Sequence, residues 1–312
     1  MLCCLCDLLQ LLAALAAVLL LLVAVIAHVT ARKMPNLHRH EAEKFFVGNN
    51  GEKKPFPSIH DRPEKDLSVV VPAYNEEARL PVMMDEAMQF LEKRQKQRSS
   101  FKYEVIIVDD GSSDKTTQVA LNYSKKYGSD KVRVLTLGVL VSRGKIILMA
   151  DADGATKFAD LENVEAGLNS LKPWPDNLAI ACGSRAHLEK ESIANRSMFR
   201  TVLMYGFHFL VWFLCVRGVR DTQCGFKLFS REAAARTFTA LHVDRWAFDV
   251  ELLYIAQCLK IPIAEIAVNW TEIEGSKLVP FWSWLQMGRD LLFIRLRYLT
   301  GAWKMDTTGK LD

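Results

Sequence analysis

The sequence predicts an α/β fold in which helices flank a mostly parallel β-sheet, with one transmembrane helix before it. Three observations support this prediction. From residue 67 to residue 270, short β-branched runs alternate with segments of helical periodicity; a carboxylate or an asparagine follows three of these runs; and residues 8–29 form one long apolar segment. Because parallel strands need crossover connections, the alternation indicates a layered domain behind a membrane anchor.

Composition limits the class of protein. The 312 residues are 50% hydrophobic and 24% charged, which is typical of a globular domain with an added apolar segment. The formal net charge of +4 is too small to indicate a nucleic-acid partner. The seven cysteines show no metal-ligand spacing and leave one unpaired under any disulfide scheme, so we expect a reduced main domain.

The apolar segment 8–29 is long enough to cross a hydrocarbon core of ~30 Å as a helix. A secretory signal peptide is the alternative, but it would begin with basic residues, whereas residues 1–7 carry Asp7 and no lysine or arginine. Basic residues follow the segment, so the positive-inside rule predicts a lumenal N-terminus (1–7) and a cytosolic domain. Residues 30–66, rich in Pro, Gly, Asn, Lys and Glu, are predicted to be a linker.

The folded domain is predicted to cover residues 67–270 and to begin with four strands and their helices. "LSVVVPAYNEE" is a β-branched run followed by a segment with helical spacing, and "YEVIIVDDGSSD" is a second strand followed by the helix "KTTQVALNYSKKYG". "KVRVLTL" and "KIILMADADG" are the third and fourth strands. Because ligands bind outside the carboxyl ends of parallel strands, we expect one polar rim formed by Asn75, Asp109, Asp110, Asp151 and Asp153.

The fourth strand carries a candidate metal site. Asp151 and Asp153 lie two residues apart at its end, and Gly154 permits a tight turn there. Carboxylate oxygens suit Mg²⁺ or Mn²⁺, whose coordination is often completed by substrate phosphates. An isolated D-x-D is weak evidence, but a second acidic strand end about 40 residues upstream strengthens it. The chain contains neither a G-x-x-x-x-G-K-[ST] nor a G-x-G-x-x-G motif, which argues against a P-loop enzyme or an ordinary dinucleotide fold.

Three motifs in order, "VVVPAYNEE", "VIIVDDGSSD" and "MADADG", resemble those of the inverting nucleotide-sugar glycosyltransferases of family 2, which have the GT-A fold. The later segments "ACGSRAHLEKESIANRS", "RDTQCGFKLFSREAA", "RWAFDVELLYIAQ" and "PIAEIAVNWTEIEGSKL" resemble those of its polyprenyl-phosphate sugar transferases. The resemblance covers nearly everything from Lys33 to the C-terminus. It implies an enzyme that transfers glucose from UDP-glucose to dolichyl phosphate.

The resemblance also implies the roles of the rim residues. The nucleotide sugar would contact Pro72, Tyr74, Asn75, Glu76, Asp109, Asp110 and Asp151. Asp151 and Asp153 would hold a divalent ion, Mg²⁺ or Mn²⁺, that neutralises the departing diphosphate, and Asp153 would thereby be catalytic. The alternative for Asp109 and Asp110 is helix capping and compensation of the helix dipole near Lys115.

The acceptor side has its own candidates. Its phosphate monoester is largely dianionic at neutral pH, because its second pKa is near ~6, so a strong general base is hardly needed. Asp221 would orient the acceptor or act as the nominal base; the alternative is a turn aspartate. Arginine forks bind phosphate in pairs of hydrogen bonds, which makes candidates of Arg185, Arg196 and Arg200, with Lys227 a weaker one. The alternative for each is a surface or interface ion.

Two later segments are candidates for membrane contact. Residues 201–216 form an apolar run flanked by arginines, and residues 271–312 include a stretch that mixes Trp, Phe and Leu with arginines. Both are predicted to be helices in the cytosolic membrane interface, where aromatic and basic side chains are favoured. For the first segment, a buried core helix and a second transmembrane span are the alternatives.

One departure from the family pattern is evident. Family members carry a segment of the type N-x-G-K-G-x-A and a helix before the D-A-D strand, whereas here only "GVLVSRG", residues 138–144, separates the two strands. A parallel crossover needs roughly a dozen residues, so a helix is predicted to be missing. Either the chain reroutes and donor binding is weakened, or the sheet loses a crossover and the protein is unstable or inactive.

Three other functions remain as alternatives. A polyprenyl-phosphate mannosyltransferase is the nearest, because nothing in the residues selects the sugar. A processive polysaccharide synthase fits less well, because His242 stands where its Q-x-x-R-W motif has glutamine. A non-catalytic nucleotide-sugar binder is the third. The resemblance implies residence in the endoplasmic-reticulum membrane with a single span.

Overall fold

The computed structural model describes residues 2–31, 45–47, 53–135, 138–188, 198–243, 247–273 and 280–305. Helix α1 (Leu2–Val29) begins six residues before the predicted span. Within it, Gln10–Val29 has a mean hydropathy of 2.9 and is long and apolar enough to cross a membrane. Strands β1 (Phe45–Val47) and β2 (Lys53–Pro55) then pair antiparallel as a separate hairpin.

A seven-stranded sheet forms the centre of the domain. Its strands are β3 (Lys65–Ala73), β4 (Tyr103–Asp109), β5 (Val132–Leu135), β6 (Gly144–Met149), β7 (Ile180–Ser184), β8 (Lys227–Ser230) and β9 (Ile263–Ala267). Their order across the sheet is β5-β4-β3-β6-β8-β7-β9. The strands β5, β4, β3 and β6 are parallel, β8 is antiparallel to β6 and to β7, and β9 is parallel to β7. The prediction of a mostly parallel α/β sheet is therefore confirmed.

Helices cover both faces of this sheet, as the alternation of side chains along the strands requires. They are α2 (Leu80–Gln97), α3 (Thr116–Tyr127), α4 (Leu161–Ser170), α5 (Met198–Leu214), α6 (Arg231–Phe238), α7 (Phe248–Cys258) and α8 (Pro280–Leu299). In β3, Val69 and Val71 pack with α2 and α4 on one face, whereas Val70 packs with α6, α7 and α8 on the other. The helical spacing predicted for the segment after β3 is confirmed, because α2 buries one face that consists of Leu80, Met83, Met84, Ala87, Met88 and Leu91.

The connection from β5 to β6 contains no α-helix in its described residues, 138–143. It crosses the face of the sheet directly, with a three-residue 3₁₀ turn at Val139–Val141. A Cβ on Gly138 would lie 2.9 Å from the side chain of Val70 and 2.8 Å from that of Val108, so the backbone lies against the strands. Val141 is fully buried there. The predicted loss of a helix is therefore seen, but β6 still pairs parallel with β3.

A buried carboxylate anchors the end of this connection. Glu104 in β4 is fully buried, and it accepts hydrogen bonds from Ser68 Oγ (2.6 Å), Arg133 Nη2 (2.6 Å) and Arg143 Nε (2.7 Å). The backbone N–H of Arg143 also donates to it at 2.6 Å. Although burial raises the pKa of Glu104, the charges of the two arginines outweigh that effect and lower it. One carboxylate thus joins β3, β4, β5 and the start of β6.

The segment before β3 packs over the same connection. Ile59 is 2% exposed and donates its N–H to the carbonyl of Leu140 at 2.9 Å. Arg231, at the start of α6, donates to the carbonyls of Ser142 (3.0 Å) and Gly144 (2.8 Å) and also to that of Ser58 (3.0 Å). The C-terminal part of the predicted linker is therefore packed on the domain, whereas residues 32–44 and 48–52 lie outside the described residues.

Helix α5 has two different faces. Phe207 and Val211 are buried, and α5 packs against α8, which in turn contacts α1. The opposite face exposes about half of each of Tyr205, Phe209, Trp212 and Phe213. The apolar part of the helix, Leu203–Leu214, is shorter than the ~20 residues that a span requires.

Replacing the central carboxylate tests the anchored connection. We expect Glu104→Gln to lower the free energy of unfolding by about 3–5 kcal/mol, because it leaves two arginine charges without their shared partner. Urea unfolding of the full chain in detergent measures this change. The matched control is Glu232→Gln, which removes a partly exposed ion pair with Arg236 on the helix surface and should cost less than about 1 kcal/mol. Equal losses in the two variants would contradict a structural role for Glu104.

Candidate active site

The loops that follow β3 and β4 form one side of the rim and are bonded to each other. Asn75 has a φ of +53°, a left-handed conformation that asparagine tolerates better than most residues. Its N–H donates to Ser112 Oγ (2.9 Å), and its side-chain oxygen accepts from the N–H of Ser113 (2.8 Å). The N–H of Glu76 donates to Thr116 Oγ1 at 2.7 Å. The two loops therefore hold each other in place.

The other residues predicted to contact the nucleotide differ in what they present. Glu76 is 8% exposed and forms a two-point ion pair with Arg79, and Asp109 accepts from the N–H of Ser112 at 3.0 Å and from Thr117 Oγ1. Pro72, Tyr74 and Asp110 are exposed on the rim. The structure thus brings the predicted set together, with Glu76 and Asp109 supporting the loops and the exposed members facing solvent.

Asp151 and Asp153 follow β6, in the centre of the rim. Asp153 Oδ1 accepts from the N–H of Ala155 (2.9 Å), and Gly154 has a φ of +72°, which glycine adopts without strain. As a residue, Asp151 is exposed on the rim, although its carboxylate packs against Gly225. Protein atoms crowd its other sides and, together with the negative charges of Asp249 and Asp153, raise its pKa to about 7. The site therefore carries an excess of negative charge.

Behind Asp151 lies an ion pair that the sequence did not reveal. Lys227 is fully buried, and its Nζ donates to Asp249 Oδ1 (2.6 Å) and to the carbonyl of Cys224 (2.5 Å). Burial keeps the pKa of Asp249 above its ordinary value, and Lys227 opposes that shift. Lys227 is thus not placed to clamp a phosphate, contrary to the weaker expectation for it. The available signal was an acidic pair, Asp249 and Glu251, in the first turn of a mostly apolar helix, α7.

Gly225 determines where the Asp151 carboxylate lies. A Cβ at Gly225 would be 2.0 Å from Asp151 Oδ2 and 2.1 Å from its Cγ. No side chain larger than hydrogen fits there unless Asp151 moves. The close approach of this backbone is therefore part of the carboxylate site, and glycine is required for space rather than for a left-handed φ.

Arg185 and Asp221 meet beside the two carboxylates. Arg185 donates from Nε (2.7 Å), Nη2 (2.8 Å) and its backbone N–H (2.8 Å) to Asp221, and its guanidinium lies 5.4 Å from the ring centre of Trp270. Although burial raises the pKa of Asp221, the hydrogen bonds and charge of Arg185 outweigh it and lower that pKa. Asp221 is therefore a weak base that orients Arg185. Arg196 and the side chain of Arg200 lie outside the described residues.

The donor set at this rim fits a small divalent cation. Asp151 and Asp153 supply the hard oxygen ligands that Mg²⁺ and Mn²⁺ prefer, and a cation would relieve the negative charge that raises the pKa of Asp151. Among the described residues, no group of three or more His, Cys, Asp and Glu side chains is placed to hold a metal ion. The remaining ligands would have to come from a substrate or from water.

Comparison with known proteins identifies the family. The model of "Glycosyl transferase family 2" matches residues 68–238, more than half of the chain. The chain belongs to glycosyltransferase family 2. This family 2 glycosyltransferase is 71% identical over 300 residues to the human dolichyl-phosphate beta-glucosyltransferase, covering 92% of this chain and 93% of the human one. Identity to the protein of that name is 57% over 292 residues in Drosophila melanogaster (89% of each chain) and 38% over 298 residues in Saccharomyces cerevisiae (89% of this chain, 82% of the yeast one).

Solved structures confirm the GT-A fold of this glycosyltransferase. The glucosyl-3-phosphoglycerate synthase of Mycobacterium tuberculosis in complex with phosphoglyceric acid matches with a TM-score of 0.52 at 16% identity, covering 78% of this chain and 82% of that one. The same enzyme with Mn²⁺, UDP-glucose and phosphoglyceric acid matches with a TM-score of 0.51 at 17% identity over the same shares. At this identity the likeness shows the fold alone.

Because the pKa of Asp151 is raised, we expect that replacing Asp151 with a neutral side chain stabilises the folded chain by an amount that depends on pH. The folded chain binds this proton more tightly than the unfolded chain, whose ordinary pKa is 3.8, so the carboxylate destabilises the fold increasingly as the pH rises from about 4 to about 7. We expect Asp151→Asn to raise the midpoint of thermal unfolding by a few degrees at pH 8 in chelator, with a gain that shrinks towards pH 4. A gain independent of pH would contradict this assignment.

The contact between Gly225 and Asp151 predicts a loss of metal binding. We expect Gly225→Ala to weaken Mn²⁺ binding at least about tenfold, because the new methyl group displaces the carboxylate. Titration followed by electron paramagnetic resonance measures free Mn²⁺. The matched control is Gly206→Ala in α5, where a Cβ would meet nothing within 4 Å. If both variants bind Mn²⁺ like the parent chain, Asp151 is not a ligand.

Proposed function

We propose that this glycosyltransferase transfers glucose from UDP-glucose to dolichyl phosphate, with inversion at the anomeric carbon. The product would be dolichyl β-D-glucosyl phosphate, the lipid glucose donor for assembly of the N-glycan precursor. The observation that carries this proposal is the 71% identity to the human dolichyl-phosphate beta-glucosyltransferase over 92% of the chain. The part of the rim that carries Asp151, Asp153 and Arg185, called the cleft from here on, supports it because an acidic pair and an arginine lie near each other there.

The donor side of the cleft suits a nucleotide diphosphate. The bonded loops that carry Tyr74, Asn75 and Asp110 would hold the nucleoside, next to Asp151 and Asp153. These two aspartates would hold Mg²⁺ or Mn²⁺, which would neutralise the charge that develops on the departing UDP. The ion pair of Asp249 and Lys227 lies behind Asp151 and acts on its carboxylate through its charges.

The acceptor side suits a phosphate monoester. Asp221 accepts from Nε and Nη2 of Arg185, which leaves the donors of Nη1 to bind a phosphate oxygen. The side chain of Arg185 is 32% exposed, so a substrate in the cleft can reach it. Since Asp221 already holds it in one plane, little side-chain entropy remains to be lost on binding.

The chemical step needs little from the protein besides positioning. An oxygen of the dianionic acceptor phosphate attacks C1 of glucose while the bond from C1 to the UDP oxygen breaks, and UDP leaves with that electron pair. No proton has to be removed, because the second pKa of the phosphate is near ~6. Arg185 would place the nucleophile, and the low pKa of Asp221 is consistent with an orienting role rather than that of a base.

A lipid acceptor requires the cleft to lie close to the membrane surface. Helix α1 would anchor the chain, with its N-terminus lumenal and the domain on the cytosolic face of the endoplasmic reticulum. The exposed aromatic face of α5 and the neighbouring α8 would lie in the membrane interface. Arg297 of α8 donates to the carbonyls of Ala27 and Thr30 at the end of α1 (3.3 Å each), which fixes α8 next to the anchor.

Transfer of label to lipid tests the proposal. Membranes that contain the chain are incubated with radiolabelled UDP-glucose, UDP-mannose or GDP-mannose, with dolichyl phosphate and Mn²⁺ or Mg²⁺. We expect metal-dependent label in the lipid phase from UDP-glucose alone. Asp153→Asn should reduce the rate at least about a hundredfold, because it removes charge from the metal site. The matched control, Asp176→Asn at an exposed turn, should leave the rate unchanged.

The other outcomes identify the alternatives. Label from a mannose donor would indicate a polyprenyl-phosphate mannosyltransferase. Binding of UDP-glucose without lipid label, beside an active human relative, would indicate a non-catalytic binder in which the short connection between β5 and β6 has cost the activity.

A further inference from the structure

Glu265 in β9 gathers hydrogen bonds from both segments that carry the Arg185–Asp221 pair. Its Oε1 accepts from Ser184 Oγ at 2.7 Å, and Ser184 directly precedes Arg185. The same oxygen accepts from the N–H of Asp221 at 2.9 Å. Both carboxylate oxygens lie 3.1 Å from the N–H of Arg220. One side chain therefore holds the backbone on either side of the ion pair.

These bonds join parts of the chain that are far apart in sequence. Ser184 ends β7, whereas Arg220 and Asp221 belong to the loop between α5 and β8, and neither is adjacent to Glu265. In the part of the chain that the structure describes, the other hydrogen bonds that hold Asp221 next to the end of β7 are its bonds to Arg185. Without the carboxylate of Glu265, the loop that carries Asp221 would be held in place only by the ion pair between Asp221 and Arg185. The position of Arg185 would then no longer be fixed independently of that ion pair.

The chemistry of the site calls for a carboxylate. The described groups that hydrogen-bond to Glu265 are all donors, namely two backbone N–H groups and one hydroxyl, and an ionised carboxylate is an acceptor at every position. A glutamine of the same shape would turn two N–H donors of its own towards the N–H of Arg220. Bonds from neutral donors to a charged acceptor are also stronger than bonds between neutral groups.

We propose that Glu265 is a positioning residue for the acceptor phosphate, acting through Asp221 and Ser184 to fix the guanidinium of Arg185. This inference rests on the proposed function, because it assigns Arg185 to the phosphate of the acceptor. Glu265 itself does not touch the substrate. Its effect is on the site of the acceptor and not on that of the nucleotide, whose loops follow β3 and β4 on the other side of the rim.

Kinetics of Glu265→Gln in the full-length, membrane-embedded enzyme test the proposal. We expect the KM for dolichyl phosphate to rise about tenfold, the effect of losing one charge-assisted hydrogen bond. The KM for UDP-glucose should stay within about twofold of the parent value. The control is Glu232→Gln, at a partly exposed glutamate whose hydrogen bond to Arg236 lies within α6, and it should change neither constant. Glu265→Asp keeps the charge and should give a smaller rise in the same constant.

Three outcomes would overturn the proposal. The first is an unchanged KM for dolichyl phosphate. The second is a parallel rise in both constants, which would show a general structural role. The third is failure of both the glutamine and the aspartate variant to fold, since Glu265 would then support the fold and not the acceptor site.

A second measurement separates this inference from the proposed function. Proton exchange at the Nε–H of Arg185, observed by NMR and assigned with Arg185→Lys, reports the bond to Asp221 without any turnover. We expect it to become at least about fivefold faster in Glu265→Gln, because the loop that carries Asp221 is released. If the parent chain transfers no sugar to dolichyl phosphate, the proposed function fails, while faster exchange still supports positioning of Arg185 and unchanged exchange overturns it.

Discussion

The buried carboxylate of Glu104 joins the strands around the point at which the chain enters β6. The connection from β5 is too short to form a helix, and Glu104 binds Arg133, Arg143 and Ser68 at the point where the chain must turn into β6. A buried carboxylate costs free energy unless it is paired and hydrogen-bonded, and here every bond that satisfies it also fixes a strand. Because β6 lies beside β3, its carboxyl end places Asp151 and Asp153 next to the loops that follow β3 and β4. The acidic rim is thus held from the opposite end of the sheet.

At that rim, the close carboxylates that suit a cation lower the stability of the folded chain when no cation is bound. Burial and then the negative charges of Asp249 and Asp153 raise the pKa of Asp151 to about 7, and the buried Lys227 opposes this shift only in part. The bare backbone of Gly225 keeps the carboxylate in place. Electrostatic repulsion of this kind is expected at a site that binds a charged ligand. A divalent ion bound there would remove the repulsion that Lys227 compensates only in part.

The strands and their polar ends were predictable from residues close together in the sequence. Asp109 and Asp151 each follow an apolar β-branched run, and the edge of a parallel sheet brings such ends together whatever the details of packing. Partners that are distant along the chain were not predictable. Lys227 and Asp249 are 22 residues apart and Arg185 and Asp221 are 36 apart, and no local pattern shows that they meet. The predicted clamp of Arg185 and the predicted base at Asp221 therefore became one ion pair.

The sequence by itself determined the class of fold, the long apolar N-terminal helix and the acidic rim, because hydrophobic periodicity and strand ends are local properties of the chain. The tertiary structure decided that the short connection is accommodated, since that depends on how Ile59, Glu104 and Arg231 pack around it. It also decided which charged groups face the cleft and which hold others in place. Burial and pairing set the pKa and the freedom of a charged side chain, and both arise only when segments distant in sequence come into contact.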